Sequence, residues 1–170
     1  TRDHLVHKLL VESGGKPRIH VPGTLDFVGE TENHILMTES SRYLKNQWLH
    51  THGTDAERAD LRYSNEQNGL RTWMAGYLDK LRKDGFYEFN SIPYQGYTVQ
   101  ALLNLACFAS PKEVSDKARF LLDELAAGYA VGSFGLRRCV PFRRQVERQD
   151  MTSLITDPLT AMVAVWVDDP

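Results

Sequence analysis

The sequence predicts an all-α fold built from antiparallel helical hairpins, and three features of the chain support this prediction. Apolar side chains recur at the i, i+3, i+4, i+7 spacing of a helix, most regularly between residues 70 and 81. Residues typical of helix starts precede several of these stretches, as at Thr31 and at Ser110. Two predicted helices are separated by almost no loop, so they must run antiparallel to each other.

The first clear helix is predicted from Thr31 to about Leu49, with Thr31 as its cap. A second helix begins near residue 70, and Arg82 and Lys83 in its last turn precede Gly85, which is typical of a helix end. We expect its apolar stripe to be buried against the first helix, at Leu44 and Trp48. The stripe consists of Leu70, Trp73, Met74, Tyr77, Leu78 and Leu81.

The remaining segments are predicted from polarity and capping. The polar stretch from His50 to Gln67 indicates a long surface loop. A helix is predicted from Gln95 to about Ala109, and residues 110–113 match a capping box with proline at the first helical position. That helix should end between residues 132 and 135. A last helix is expected from about residue 157, carrying Met162, Val165 and Trp166.

Composition limits the possible classes of protein. The chain has 170 residues, 42% of them hydrophobic, which suits a single helical domain spanning residues 1–170. A formal net charge of -2 argues against a general nucleic-acid partner, and no apolar run reaches the length of a membrane span. The chain begins with Thr1 and stops soon after an apolar run, so we expect it to be a segment of a larger protein, with the remainder of that chain as a partner.

The cysteine content predicts neither a disulfide framework nor a metal centre. Cys107 falls in an apolar helical stretch and Cys139 in an arginine-rich loop, and their spacing matches no metal site. Buried or free thiols are the expectation, because unbridged cysteine commonly behaves as a small apolar residue.

The first candidate site lies at the start of the Thr31 helix. Glu32, Asn33 and His34 bring polar groups to a helix end, where the positive end of the helix dipole disfavours an imidazolium ring. A neutral His34 could act as a base. The alternative is that Asn33 and His34 only satisfy unpaired backbone groups at that end.

A second candidate lies in residues 84–97, between two helices. Glu88, Asn90, Tyr94 and Tyr97 give this segment the carboxylate, amide and aromatic groups that suit sugar binding. A packed turn that covers the helix ends is an equally good interpretation.

The third candidate is a run of arginines. Arg137, Arg138, Arg143 and Arg144 lie close together, and the guanidinium fork matches carboxylates and sulfates. We expect this segment to contact an anionic ligand, with solvated surface charge as the alternative.

Together, the Asn33-His34 doublet at a helix start, the hairpin after it and the loop with Glu88 and Tyr94 resemble the (α/α) toroid polysaccharide lyases of the alginate and heparinase type. Residues 88–94 followed by 102–105 are also similar to uncharacterised bacterial members of the six-hairpin glycosidase-like group. The resemblance covers residues 28–148 and implies that the chain forms part of an (α/α) toroid.

The resemblance also implies an activity. Asn33 would neutralise a uronate carboxylate, His34 would be the base, and Tyr94 or Tyr97 would serve the glycosidic oxygen in a β-elimination. The partner would be an anionic polysaccharide, no organic cofactor would be needed, and the setting would be periplasmic or secreted. Two alternatives stay open: a glycoside hydrolase with two carboxylates drawn from Glu30, Glu32 and Glu88, and a non-catalytic helical scaffold or carbohydrate-binding segment.

Overall fold

Helices form most of the residues that the computed structural model describes, which are 31–92, 94–139 and 158–167. Strands amount to one short antiparallel pair in these ranges, in which Ser133 faces Arg138. The all-α prediction is therefore confirmed. The elements are α1 (Glu32–His52), α2 (Asp55–Ala59), a 3-10 turn (Leu61–Tyr63), α3 (Leu70–Asp84), α4 (Tyr94–Phe108), α5 (Lys112–Val131), β1 (Ser133–Phe134), β2 (Arg137–Arg138) and α6 (Pro158–Trp166).

The first helices of the two hairpins, α1 and α4, pack side by side and run in the same direction. At one end, the Glu32 carboxylate accepts hydrogen bonds from the backbone of residues 87 and 88, just before α4 begins. At the other end, the Gln47 side chain donates to the carbonyl of Phe108, the last residue of α4. The first contact lies at the start of both helices and the second lies near the end of both. Helices α1 and α4 therefore run parallel to each other.

The second helices, α3 and α5, are likewise parallel neighbours. Arg71 pairs with Glu113 near the start of both helices, and Lys117 pairs with Asp79 further along. Two antiparallel hairpins therefore stand next to each other in two layers. A simple up-and-down bundle, in which every adjacent pair of helices is antiparallel, has a different arrangement.

One apolar core fills the space between the layers. Every helix except the short α2 contributes to it, and α6 adds Leu159 where it packs on α4. Complete burial of side chains of this size contributes roughly 1.5–3 kcal/mol each. The largest apolar side chains with almost no exposure are Leu36, Tyr43, Leu49, Met74, Leu78, Leu102, Leu105 and Leu121.

The predicted stripe of α3 is only partly correct. Met74, Leu78 and Leu81 are buried, but the Trp73 ring is 43% exposed and stacks on Tyr77 at a centroid distance of 5.1 Å. The expected partner was also wrong, because α3 packs mainly on α5 and Trp48 of α1 is itself exposed. With α5 beside it, the buried face of α3 is rotated away from Trp73.

The expected long loop between residues 50 and 67 is largely helical. Helix α1 continues to His52, and α2 follows after two residues. Thr54 caps α2, since its side chain accepts from the Glu57 backbone while the Glu57 side chain accepts from the Thr54 backbone. This reciprocal pair explains why so polar a segment forms a helix.

The expected capping box at residues 110–113 is absent. Helix α5 starts at Lys112 after a cis Ser110-Pro111 bond, with no side-chain cap. Ser110 is held by α1 instead, because its backbone N–H donates to Gln47 and its carbonyl accepts from the Tyr43 hydroxyl. Among the described residues, no helix is long and apolar enough to cross a membrane.

Candidate functional site

Four segments meet at the end of the two layers where α1 begins. They are the first turn of α1, residues 85–92, the first turn of α4 and the β-hairpin. Glu32 joins the first two, since its Oε2 and Oε1 atoms accept from the backbone N–H groups of Tyr87 and Glu88 at 2.6 and 2.7 Å. The sequence-predicted segments around Asn33 and Glu88 are therefore neighbours in space.

Glu32 has a structural role at this site. Both carboxylate oxygens are used by backbone donors, and a carboxylate at the first helical turn is further stabilised by the helix dipole. The sequence predicted Glu32 as a polar member of the candidate site at the start of the Thr31 helix, where it would contact substrate. In the structure it fixes the loop that carries Glu88 and Asn90.

Asn33 and His34 lie on the first turn of α1. Asn33 is only 6% exposed, and its Oδ1 atom has no hydrogen-bond partner among the described residues. A buried amide oxygen that stays without a partner costs about 1–3 kcal/mol. His34 is half-buried beside it.

Tyr94 and Tyr97 occupy the first turn of α4 at the same end of the layers. Both are exposed, and their rings meet edge to face at a centroid distance of 6.5 Å. Because α1 and α4 are parallel neighbours, these tyrosines lie at about the level of His34. All four residues therefore lie at the same end of the layer formed by α1 and α4: Asn33 and His34 on α1, and the two tyrosines on α4.

The loop residues Glu88 and Asn90 are buried rather than presented to solvent. Glu88 is 2% exposed and Asn90 is 5% exposed with a positive φ of 55°. Asparagine tolerates that left-handed conformation better than most residues. Nearby, the Phe89 ring lies over Gly128 of α5, where an added Cβ would come within 3.2 Å of the ring. The loop is thus packed closely against α5.

Arg138 is the internal anchor of this end of the molecule. Its side chain is 8% exposed and its Nη1 atom donates to Asn90 Oδ1 at 2.6 Å and to Gln95 Oε1 at 3.3 Å. Arg137, its neighbour on β2, is exposed because successive strand residues point to opposite faces. Arg143 and Arg144 lie outside the described residues.

Two further residues at this end of the molecule, Gln95 and Tyr129, were not predicted from the sequence as members of this site. Gln95 was assigned only as a helix start, although its side chain is 4% exposed and accepts from Arg138. The Tyr129 hydroxyl donates to the carbonyl of Leu136 and lies 3.0 Å from Thr160 Oγ1, which ties α5 to the hairpin and to α6. Tyr129 and Thr160 are 31 residues apart in sequence, and Gln95 and Arg138 are 43 residues apart. No local sequence pattern reveals contacts of this length.

A small cavity lies beside this anchor. Phe89, Gln95, Tyr129, Ser133 and Arg138 are among the residues that line it. Its volume is about 10 Å³, which is room for about one water molecule and not for a sugar ring. The buried Ser133 Oγ has no partner among the described residues and could bind such a water. Any polysaccharide must therefore bind elsewhere.

Burial raises the pKa of two tyrosines, Tyr43 on α1 and Tyr77 on α3. The pKa of Tyr77 is raised to about 12, mainly by burial and secondarily by the negative charge of Glu32. The pKa of Tyr43 is also raised to about 12, again mainly by burial. Both groups are neutral phenols at physiological pH.

Within the described ranges, no group of three or more His, Cys, Asp or Glu residues could hold a metal ion. The two cysteines are free and exposed, so the expectation of free thiols is confirmed and burial is wrong. The α4 and hairpin surfaces leave both sulfur atoms accessible.

The chain was compared with protein-family models, with curated proteins and with solved structures, and none of them matches it. Inferences about function therefore come from the geometry of this end of the molecule and from the chemistry of its residues.

Proposed function

We propose that this chain is part of a carbohydrate-active protein that acts on an anionic polysaccharide by β-elimination. The observation that supports this proposal most is the pair of hydrogen bonds that the Glu32 carboxylate accepts from the backbone N–H groups of residues 87 and 88. They bring the helix start that carries Asn33 and His34 to the end of the layer where Tyr94 and Tyr97 begin α4. The residues to which this proposal assigns the roles of base, acid and carboxylate-binding amide lie on adjacent parallel helices.

The reaction needs three groups in this arrangement. The Asn33 amide would hydrogen-bond the uronate carboxylate, which lowers the cost of removing the neighbouring proton. His34 would take that proton, and the electron pair of the C–H bond would become the new C=C bond. The C–O bond to the leaving sugar would break, and its oxygen would receive a proton from Tyr94 or Tyr97. This chemistry requires no organic cofactor.

The arrangement of the helices is compatible with an (α/α) toroid. Hairpins that stand side by side, with their first helices parallel in one layer and their second helices parallel in the other, are the repeating unit that such a toroid requires. In this proposal the remainder of a larger chain supplies further hairpins, and the protein works in a periplasmic or secreted setting.

Of the two alternative functions, the hydrolase is less well supported. A two-carboxylate hydrolase needs a carboxyl group that can exchange protons with substrate, whereas both Glu32 oxygens accept backbone hydrogen bonds. A non-catalytic scaffold would explain the buried Glu88 and Arg138.

The test is the release of unsaturated sugar ends from alginate, followed by ultraviolet absorbance. We expect product from the complete protein that contains the wild-type chain and none from the complete protein with His34→Ala. The matched control is His50→Ala, since His50 is an exposed histidine near the other end of the same helix. Full activity of His34→Ala, or equal loss in both variants with both folds intact, would reject His34 as the base.

A further inference from the structure

One side of helix α3 is exposed to solvent although it carries two aromatic rings. Three contacts to α5, made by Arg71, Asp79 and Arg82, mark the side of α3 that packs within its layer. At 3.6 residues per turn, Trp73 and Lys80 lie on the opposite side of the helix. We call this opposite side the Trp73 flank, and its residues are Trp73, Gly76, Tyr77 and Lys80.

Gly76 lies in the middle of the Trp73 flank, and the fold of the chain does not require a glycine there. A Cβ added at residue 76 would meet no atom within 4 Å beyond its own stretch of helix. The residue is exposed and has no positive φ. Glycine inside a helix is less stable than alanine, and it is typically used where another group comes close to the backbone. Since no group of the described chain does so at Gly76, we look for one outside it.

The two ends of the Trp73 flank carry complementary groups. The Trp73 ring stacks on Tyr77 with an angle of 8° between the planes, and it is still 43% exposed. Lys80 is exposed and forms no ion pair within the described part of the chain. It lies two turns after Trp73, about 10 Å along the axis. An ammonium group is attracted to the face of a tryptophan. The flank thus offers both partners of a cation–π contact at a spacing too long for one chain to close.

We infer that the Trp73 flank binds the same flank of a second copy of this chain in a two-fold symmetric dimer. A two-fold axis that crosses α3 between Gly76 and Tyr77 makes the two copies of the helix antiparallel. Trp73 of each copy then lies opposite Lys80 of the other copy, because both residues are equally far from the axis. A second copy fits better than an unrelated partner, since one flank supplies both groups in symmetric positions.

Glycine at the centre suits this arrangement. Packed helices are usually about 8–10 Å apart, depending on the side chains at the contact. With Gly76 of both copies next to the axis, the helices can approach closely enough for each lysine to reach the opposite ring. The two lysines are separated by about 10 Å along the axis, which is about one Debye length at physiological ionic strength, so their repulsion is weak. The inference is independent of the proposed function, because the flank lies on α3 and carries none of the residues assigned to β-elimination.

The first test is sedimentation velocity of the complete protein that contains this chain, over a series of concentrations. The wild type should form a dimer whose fraction rises with concentration. Trp73→Ala should weaken the dimer by about tenfold or more, because both symmetric contacts are lost. Trp48→Ala is the matched control, since Trp48 is similarly exposed and also stacks on a ring four residues later, but lies on α1. It should leave the dimer unchanged.

Gly76→Ala separates association from the stability of the chain. Alanine favours the helix and meets no other group, so it should raise the folding equilibrium constant about fivefold in urea unfolding. The two added methyl groups lie next to the axis in the dimer and should weaken association about tenfold. A more stable chain that associates less well is the expected result. A more stable chain with unchanged association would overturn the close approach of the helices.

Lys80 tests the cation. Lys80→Met keeps an apolar side chain of similar length but loses both cation–π contacts, so it should weaken the dimer about 5- to 30-fold. Lys80→Arg keeps the cation and should preserve the dimer. Equal weakening by the two variants would overturn the cation–π contact. A protein that is monomeric at every concentration, or a dimer that neither Trp73→Ala nor Gly76→Ala weakens, would overturn the dimer at this flank.

Discussion

Arg138 Nη1 lies 2.6 Å from Asn90 Oδ1, and both side chains are more than nine-tenths buried. This contact joins the β-hairpin to the loop before α4 across 48 residues of sequence. A buried charge needs such partners, because removing them leaves the full cost of desolvation. The relationship leads to the first prediction.

Replacing Asn90 by glycine and by alanine should separate the hydrogen bond from the backbone conformation. Both variants lose the acceptor for Arg138, which we expect to cost about 1–3 kcal/mol. Alanine should cost roughly 1 kcal/mol more, since φ at this residue is 55° and only glycine adopts it without strain. Urea unfolding gives both values. If the two variants were equally stable, the predicted extra cost of alanine in the left-handed conformation of residue 90 would be contradicted.

Leu78 and Trp73 should differ sharply in their contribution to stability. Leu78→Ala removes a side chain that is 1% exposed and should cost about 2–5 kcal/mol. Trp73→Ala removes a larger but exposed side chain and should cost less than half as much. The free energies of unfolding measured in denaturant check this order, and the reverse order would mean that α3 is rotated from the position described.

Alkaline pH should destabilise the fold between about pH 10 and pH 12. Burial raises the pKa of both Tyr43 and Tyr77 to about 12, whereas an unfolded tyrosine ionises near 10. The folded state therefore holds these protons more tightly. The stabilisation that these two tyrosines provide is complete below the pKa of an unfolded tyrosine. It is lost as pH rises through the pKa that they have in the folded state. Tyr77→Phe should flatten the fall in unfolding free energy over this range.

Glu32→Gln should lower the pKa of Tyr77. The Glu32 charge contributes to raising that pKa, after burial, so a neutral side chain of the same shape removes only this smaller part. Spectrophotometric titration of the tyrosines should show one group ionising earlier than in the wild type. Asp79→Asn, a neutralised carboxylate on α3, is the control and should leave the Tyr77 titration unchanged.

Glu32→Gln should also loosen the loop at residues 87–88. The amide keeps one acceptor oxygen and replaces the other by a donor, which cannot pair with a backbone N–H. We expect faster hydrogen exchange at Tyr87 and Glu88 and unchanged exchange in α5. Exchange that stays slow at both amides would show that Glu32 does not hold the loop.

The sequence predicted the helices whose own residues determine them. The stripe of α3 is a local pattern, and that helix was found. Helix α1 does begin just after Thr31 as predicted, but the Thr31 side chain makes no capping hydrogen bond. The capping box at Thr54 and Glu57 was equally local and could have revealed α2, but the polarity of the segment suggested a loop. The residues from Ser110 onward also matched a local capping pattern. In the structure, Ser110 does not cap α5, because its backbone is hydrogen-bonded to Gln47 and Tyr43 of α1.

The candidate site was harder to predict because its contacts are non-local. Asn33, His34, Tyr94 and Tyr97 were identified from residue type, and their common end of the layer follows from the hairpin geometry. The internal roles of Glu32 and Arg138 depend on donors and acceptors that only the folded chain brings within reach. The sequence alone does not show whether a charged residue is exposed to solvent or hydrogen-bonded to a buried amide.

The hydrogen bonds that Glu32 accepts from the backbone of Tyr87 and Glu88 span 55 and 56 residues, and they have a kinetic consequence. Contacts so distant along the chain form only after the entropy of closing the intervening segment is lost, so this end should assemble late, after the helical hairpins. Substitutions there should therefore speed unfolding and leave the folding rate almost unaltered. The contacts of Gln47 and Tyr43 at the opposite end span 61 to 67 residues, so both ends of the α1–α4 packing should form late.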